Sequence, residues 1–179
     1  MGAQVRLRRV GPVDGTRAPG HTPVPAPATP QDISWADTVV FGAAVRLGAM
    51  AAPLLDFIQS LEPSDPTARG PLWGKPAGGF VTVPRPHAGS ESAPLALNHL
   101  LLHSGAVVVT PGFTDPSVVE AGGTPYGVCH PLTEGAVPTP AALAAAAHQG
   151  RRTALAGDLL RRGAGRGAGK GEPHERAAV

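Results

Sequence analysis

Apolar residues recur along the chain in several short patterns, each with its own period. Over residues 4–9, QVRLRR, Val5 and Leu7 alternate with polar neighbours, which predicts a short strand with one buried face. Residues 10–31 show no period. Prolines, glycines and threonines dominate there, as in HTPVPAPATP, and predict a Pro-rich loop. Residues 32–37 read as a turn or a helix end. Residues 38–42, TVVFG, form an unbroken apolar run, the pattern of a parallel strand covered on both faces. In 50–61, MAAPLLDFIQSL, Leu54, Leu55 and Ile58 take helical spacing. Pro53 fits only the first turn of such a helix.

A Pro/Gly loop over 62–74 leads to a strand at 78–83, weakened by Gly78 and Gly79. A helix is predicted from Ser90 to about Ser104, with Leu95, Leu97, Leu101 and Leu102 as its apolar set and Gly105 as its C-cap. AVVVT at 106–110 is the clearest strand pattern in the chain, and 111–138 reads as one long loop. Thr139 is an N-cap followed by Pro140 at the first helical position, and opens an Ala-rich helix to about Arg162. Residues 163–179, GAGRGAGKGEPHERAAV, predict a disordered Gly/Arg tail. Strands alternating with helices give an α/β class with a parallel sheet.

Composition narrows the function classes. The chain has 179 residues, enough for one domain with a real core. Aromatics make up 4%, so Ala and Val carry much of the packing. The single Cys129 excludes an internal disulfide and a Cys-rich metal site, and the seven histidines show no metal spacing. No apolar run approaches a membrane span and no signal pattern opens the chain, so a cytoplasmic protein without a membrane partner is expected. Net charge is +2; seven Lys/Arg and three Asp/Glu from Arg151 onward give that part +4, leaving −2 for residues 1–150. The basic tail has no aromatic residue on which a base could stack, which argues against nucleic acid.

Candidate chemistry centres on VVFGAAVRLGAM at 39–50. A strand runs into a loop with one charge, Arg46, between Gly42 and Gly48. In open α/β sheets the loops leaving the carboxyl ends of strands bind ligands, and glycines let backbone approach a flat one. Cys129 and His130 are adjacent, but no third group is implied that would make a nucleophile. GAGRGAG in the tail follows a helix rather than a strand, the wrong context for a phosphate loop.

Several stretches together resemble the flavodoxin-like NAD(P)H:quinone oxidoreductases of the tryptophan-repressor-binding-protein (WrbA) type. They are ATPQDISWADTVVFG (28–42), AAVRLGAM (43–50), LWGK (72–75), LLHSG (101–105), GGTPYG (122–127) and HQG (148–150), and the resemblance as a whole runs from near Gly2 to about Arg162. The resemblance implies a flavodoxin-like open parallel sheet with helices on both faces over residues 1–162. It implies FMN as cofactor, NAD(P)H as co-substrate, a quinone as acceptor and a homo-oligomer, a dimer or tetramer. Val45, Arg46, Leu47 and Gly48 match the family's stretch against the flavin ring. Thr82, Val83, Pro84, Arg85, Pro86 and His87 match its second flavin loop, and His103 matches a histidine that contacts the flavin. Arg46 and His103 are the catalytic candidates by this resemblance. Tyr126 takes a subunit-contact or site-rim role.

The chain also departs from that pattern. It starts at what the family would call its second strand. The first strand, the Ser-x-x-Gly-His phosphate turn and the first helix have no counterpart. Pro84 and Pro86 stand where the family has glycines, and neither has an N–H to donate. These departures imply FMN binding that is weakened or lost. The alternative they carry is a degenerate or truncated flavodoxin-like protein without flavin, acting as an assembly or binding module.

Overall fold

The structure is a computed structural model that describes residues 2–11, 24–134 and 137–168. Helix α1 (Pro30–Trp35) starts where Thr29 and Asp32 cap each other. The Asp32 N–H donates to Thr29 Oγ1 at 3.3 Å, the Thr29 N–H donates to Asp32 Oδ2 at 3.1 Å, and Pro30 occupies the first turn. Strand β1 (Val39–Arg46) follows, then a two-residue turn into β2 (Ala49–Met50) and helix α2 (Ala52–Gln59), with Pro53 in its first turn. Strand β3 (Pro76–Val83), helix α3 (Ser92–His103), β4 (Val107–Val108), α4 (Pro116–Glu120), β5 (Val128–Pro131) and the long α5 (Pro140–Ala168) complete the order.

β3 is the centre of the sheet. β1 lies parallel along one edge of it, with Val39 opposite Ala77 and Ala44 opposite Thr82. β4 and β5, both parallel, share the other edge. On its far side β1 meets only β2, at Val45 and Arg46, so Val39–Ala44 has no strand neighbour there among the described residues. One sheet face carries Phe41, Ala43, Val45, Val81 and Val83 and packs with Leu54 and Ile58 of α2 and Leu97 and Leu101 of α3. The opposite face is crossed by α5, which buries Ala145, Gln149 and Thr153. The architecture is an open, mostly parallel α/β sheet with helices on both faces, as expected.

Local expectations fail where tertiary partners are missing or change. Residues 4–9 form no strand: Val5 and Leu7 are 82% and 72% exposed, and the only pairing nearby among the described residues is an isolated bridge from Arg9 to Pro27. Arginines tether this segment instead. Arg8 Nε donates to Asp32 Oδ1 at 2.9 Å, and Arg6 stacks over Trp35 with 3.7 Å to the ring centroid. The strand at 106–110 shrinks to Val107–Val108 because β5 takes over the edge of β3 beyond that point. The loop at 111–138 holds α4, capped by Asp115, and β5. α5 runs past Arg162 to Ala168, so residues 163–168 are helical rather than disordered; 169–179, residues 12–23 of the Pro-rich loop, and 135–136 lie outside the described residues. No helix among the described residues is long and apolar enough to cross a membrane.

LWGK has a structural job. Lys75 Nζ donates to the carbonyls of Ile33, Ser34 and Ala36, at 2.6, 3.0 and 2.8 Å, and so caps the C-terminus of α1 with a positive charge. Burial pushes the Lys75 pKa down, against an upward pull from Asp37. At the other end of α1, hydrogen bonds from Thr29, with Arg8 alongside, hold the Asp32 carboxyl below its ordinary range; hydrogen bonds from Ser117 do the same for Asp115. A depressed folded-state pKa adds stability that is present above the unfolded carboxylate value and lost as pH falls through the folded one. The melting temperature should therefore hold from neutral pH to about pH 5 and fall below about pH 4. Asp32→Asn should flatten part of that acid limb, which a pH series of thermal melts would measure.

Candidate functional site

The carboxyl ends of β1, β3 and β5 converge, and the loops leaving them build the candidate site. β1 does not stop at Gly42. It continues to Arg46, and Gly42 is needed because the Phe80 ring lies over its α-carbon. Gly42 therefore serves packing rather than close approach to a ligand. The turn comes after Arg46. Leu47 (φ +51°) and Gly48 (φ +79°) both take positive φ, as a two-residue hairpin turn that matches strand twist requires. Leucine is rare in that conformation, and Leu47 is fully exposed at the tip.

The loop after β3, residues 84–91, packs against this turn. Gly89 (φ +96°) touches it so closely that a Cβ would lie 2.9 Å from Val45 Cγ1 and 3.0 Å from the Gly48 carbonyl oxygen. Ser92 Oγ, at the start of α3, donates to the same Gly48 oxygen at 3.2 Å. His87 also takes a left-handed backbone (φ +63°). Two non-glycine residues in that region on adjacent loops store strain where α/β folds place their ligands.

Arg46, Leu47, Pro84, Arg85, Pro86 and His87 are exposed around these loops, and Thr82 is half-buried. Arg46 and Thr82 share the sheet face that α5 crosses. Neither Arg46 nor Arg85 makes an ion pair among the described residues. Two of the expected contacts need correction. Val45 and Val83 are 3% and 0% exposed and point into the core under α3, because alternate strand residues face opposite sides. Only their backbone can meet a ligand.

His103 does not join this group within one chain. α3 begins beside Gly48 and runs the other way for twelve residues, about 18 Å at 1.5 Å per residue. His103 therefore sits at the opposite end of the sheet, next to Ser104, which hydrogen-bonds to Glu62. A residue that the sequence analysis set aside, His130, comes closer. Ala44, Thr82 and His130 stand in one row across β1, β3 and β5, and neighbouring strands are about 4.8 Å apart. His130 is 5% exposed on the same face as Arg46. Its only sequence signal was its place next to Cys129, in a stretch that reads as loop. Cys129 faces the other way; burial pushes its thiol pKa up despite a hydrogen bond from Ser90, which keeps it a poor nucleophile.

The GGTPYG turn is internally tied. Thr124 Oγ1 donates to the Gly127 carbonyl at 3.1 Å, and Asn98 Nδ2 donates to the Tyr126 carbonyl at 3.0 Å. It delivers the chain from α4 into β5.

The NADPH-dependent FMN reductase family matches residues 5–118. The chain belongs to this family. Curated relatives, each called NAD(P)H dehydrogenase (quinone), extend the match. The Geotalea daltonii protein is 31% identical over 172 residues, which cover 86% of this chain and 82% of the relative. The Syntrophobacter fumaroxidans protein is 32% identical over 176 residues, covering 86% and 81%. The match to the Deinococcus radiodurans protein, 32% identical over 100 residues, spans 49% of that relative's length, and the match to the Geobacter sulfurreducens protein spans 59%. A solved structure of RosB with bound intermediate OHC-RP (8-demethyl-8-formylriboflavin-5'-phosphate) superposes at a TM-score of 0.51 over 83% of this chain and 61% of that one. At 15% identity it bears on the fold alone.

For a member of the FMN reductase family the donor set at these loops is suited to a planar, anionic ring. Arg46, Thr82 and Arg85 lie on or beside these loops, with apolar Leu47 exposed at the tip of the turn. Two helices begin beside these loops: α2, whose N-cap Ala51 N–H donates to the Ala44 carbonyl at 2.9 Å, and α3. Glu91 takes the N-cap position of α3, and that negative charge opposes a phosphate. The residues described at these loops offer donors for the ring of FMN.

Proposed function

We propose that this chain is an FMN-dependent NAD(P)H:quinone oxidoreductase of the tryptophan-repressor-binding-protein type. The observation that carries the reading is the Arg46–Gly48 turn held against the 84–91 loop by Gly89 and Ser92, at the carboxyl ends of the strands. Bound FMN would supply the two-electron transfer from NAD(P)H to a quinone; the protein's part is to hold and tune it. Arg46 places a fixed positive charge where a reduced flavin ring becomes anionic. The Thr82 hydroxyl and the N–H groups of Leu47, Gly48, Arg85 and His87 are the candidate donors to the ring edge. Leu47 shields the rim from water and offers an apolar contact to a flat quinone.

Two measurements test this. FMN titration followed by flavin fluorescence should give saturable quenching, and NAD(P)H-dependent quinone reduction should exceed that of free FMN. Rates equal to free FMN would sink the proposal. Because the candidate donors serve the ring edge, riboflavin should bind within a few-fold of FMN. A preference for FMN of more than about tenfold, near 1.4 kcal/mol, would mean that this chain also grips the phosphate.

His103 can reach such a site only from a neighbouring copy, in line with the oligomer that the resemblance implies. Arg46→Ala and His103→Ala should then each lower quinone reduction alone. Mixing the two after unfolding and joint refolding should restore part of it, since some mixed assemblies keep one intact site. If the mixture stays at the average of the two variants, His103 has no part in the reaction.

A further inference from the structure

Along one edge, β3 changes neighbours part-way. Pro76 and Ala77 pair with Val107 and Val108 of β4, whereas Phe80 to Val83 pair with Val128 to Pro131 of β5. Gly78 and Gly79 fall in the break. A sheet interrupted in this way leaves a buried N–H and a buried C=O without ladder partners, and each such orphan is destabilising.

Gln149 of α5 stands at the break, 2% exposed. Its Nε2 donates to the Gly79 carbonyl at 2.8 Å, and its Oε1 accepts from the Val128 N–H at 3.1 Å. One carboxamide thus presents the donor and acceptor that a peptide unit of a neighbouring strand would present. Glycines clear the space for it. A Cβ on Gly78 would strike the Val109 carbonyl and lie 3.3 Å from Gln149 Nε2, and one on Gly127 would lie 2.6 Å from the Gly79 oxygen. Glutamine is the side chain that fits. Asparagine is one methylene short, leucine satisfies neither group, and ionised glutamate would set a negative oxygen against the Gly79 carbonyl.

We propose that Gln149 is a positioning residue for the candidate site. Its carboxamide splices β4 and β5 onto one edge of β3 and fixes the register of β5. That register stands His130 beside Thr82, in the row that ends at Ala44, two residues before Arg46. The functional part of this inference rests on the flavin reading above; the structural part does not.

The test compares Gln149→Leu and Gln149→Glu with Lys75→Met, a control that destabilises α1 at the far end of β3. Three readouts are taken: the His130 ring cross-peaks by NMR, the hydrogen exchange of the Val128 amide, and the Kd for FMN. In Gln149→Leu we expect shifted His130 signals, faster Val128 exchange and FMN binding weakened about tenfold or more, the loss of one buried hydrogen-bonded contact. Lys75→Met, at an equal or larger fall in Tm, should leave all three unchanged. Gln149→Glu should resemble the leucine variant at about pH 8 and recover toward the parent at about pH 5.5, because protonation returns a donor to the side chain. This recovery keeps the proposal falsifiable should the leucine variant fail to fold. Unchanged His130 signals and Val128 exchange would overturn the splice. FMN affinity that follows Tm alike in Gln149→Leu and Lys75→Met would overturn the positioning role. If the parent itself binds no flavin, the flavin reading falls, and the two NMR readouts alone decide whether the splice exists.

Discussion

Replacing Gly79 with valine should abolish folding at 37 °C, and replacing it with alanine should lower the unfolding free energy by about 2–3 kcal/mol. Gly79 lies in the core, under Leu97 of α3. A Cβ there would overlap Leu97 Cδ2 and sit 2.9 Å from the Phe41 carbonyl oxygen. The leucine methyl could move, but the carbonyl could not, because Phe41 and Gly79 are register partners in the parallel ladder. Leu97 is fully buried, so Leu97→Ala alone should lose roughly 3 kcal/mol, for the missing side chain and the cavity it leaves. In the double variant Gly79→Ala/Leu97→Ala the new methyl enters the space that Leu97 vacates. The sum of the single effects should then overshoot the double by about 1–2 kcal/mol, the coupling expected of residues in direct contact. Urea unfolding of the four proteins measures it; strict additivity would refute the close packing of Leu97 on Gly79.

Replacing Arg46 with alanine should do the opposite: little to stability, much to binding. The Arg46 side chain is exposed and makes no hydrogen bond or ion pair among the described residues, so its removal should shift Tm by no more than a degree or two, in line with surface substitutions within about 0.5 kcal/mol. In the flavin reading it makes a charge-assisted contact. Hydrogen bonds to charged groups contribute about 1.5–3 kcal/mol, so FMN should bind roughly 10- to 150-fold more weakly. The loss should be larger for reduced than for oxidised flavin, because only the reduced ring is anionic. Titrations under reducing and oxidising conditions separate the two. Equal affinity of parent and Arg46→Ala for both forms would remove Arg46 from the site.

Local sequence was a good guide wherever an element's own residues settle its state. Pro53 opens α2, Thr139 and Pro140 open α5, and Gly105 (φ +72°) ends α3, each from signals confined to a few residues. Leu54, Ile58, Leu97 and Leu101 are buried because helical spacing gathers them on one face. The unbroken apolar run at 38–42 belongs to a strand beside the centre of the sheet. The α/β class follows from that alternation of elements. The Arg46 turn was also legible as a candidate loop, since folds of this class bind ligands at the carboxyl ends of their strands, whereas the 82–87 loop was marked only by the resemblance.

What the sequence alone could not decide depends on neighbours distant in the chain. Val5 and Leu7 alternate as a strand should, but a strand needs a partner edge, and none pairs with them among the described residues. AVVVT has the strongest strand propensity in the chain, yet only Val107 and Val108 pair, because β5 takes the rest of that edge of β3. β5 itself, four residues in a stretch that reads as loop, is held by register against β3 and by Gln149 from a helix some twenty residues later. The parting of His103 from Arg46 follows from the direction of α3, and the arrival of His130 beside Thr82 from the pairing of β5. Period and capping are local physics and can be read along the chain; edges, registers and the ends of a sheet exist only once distant segments have met.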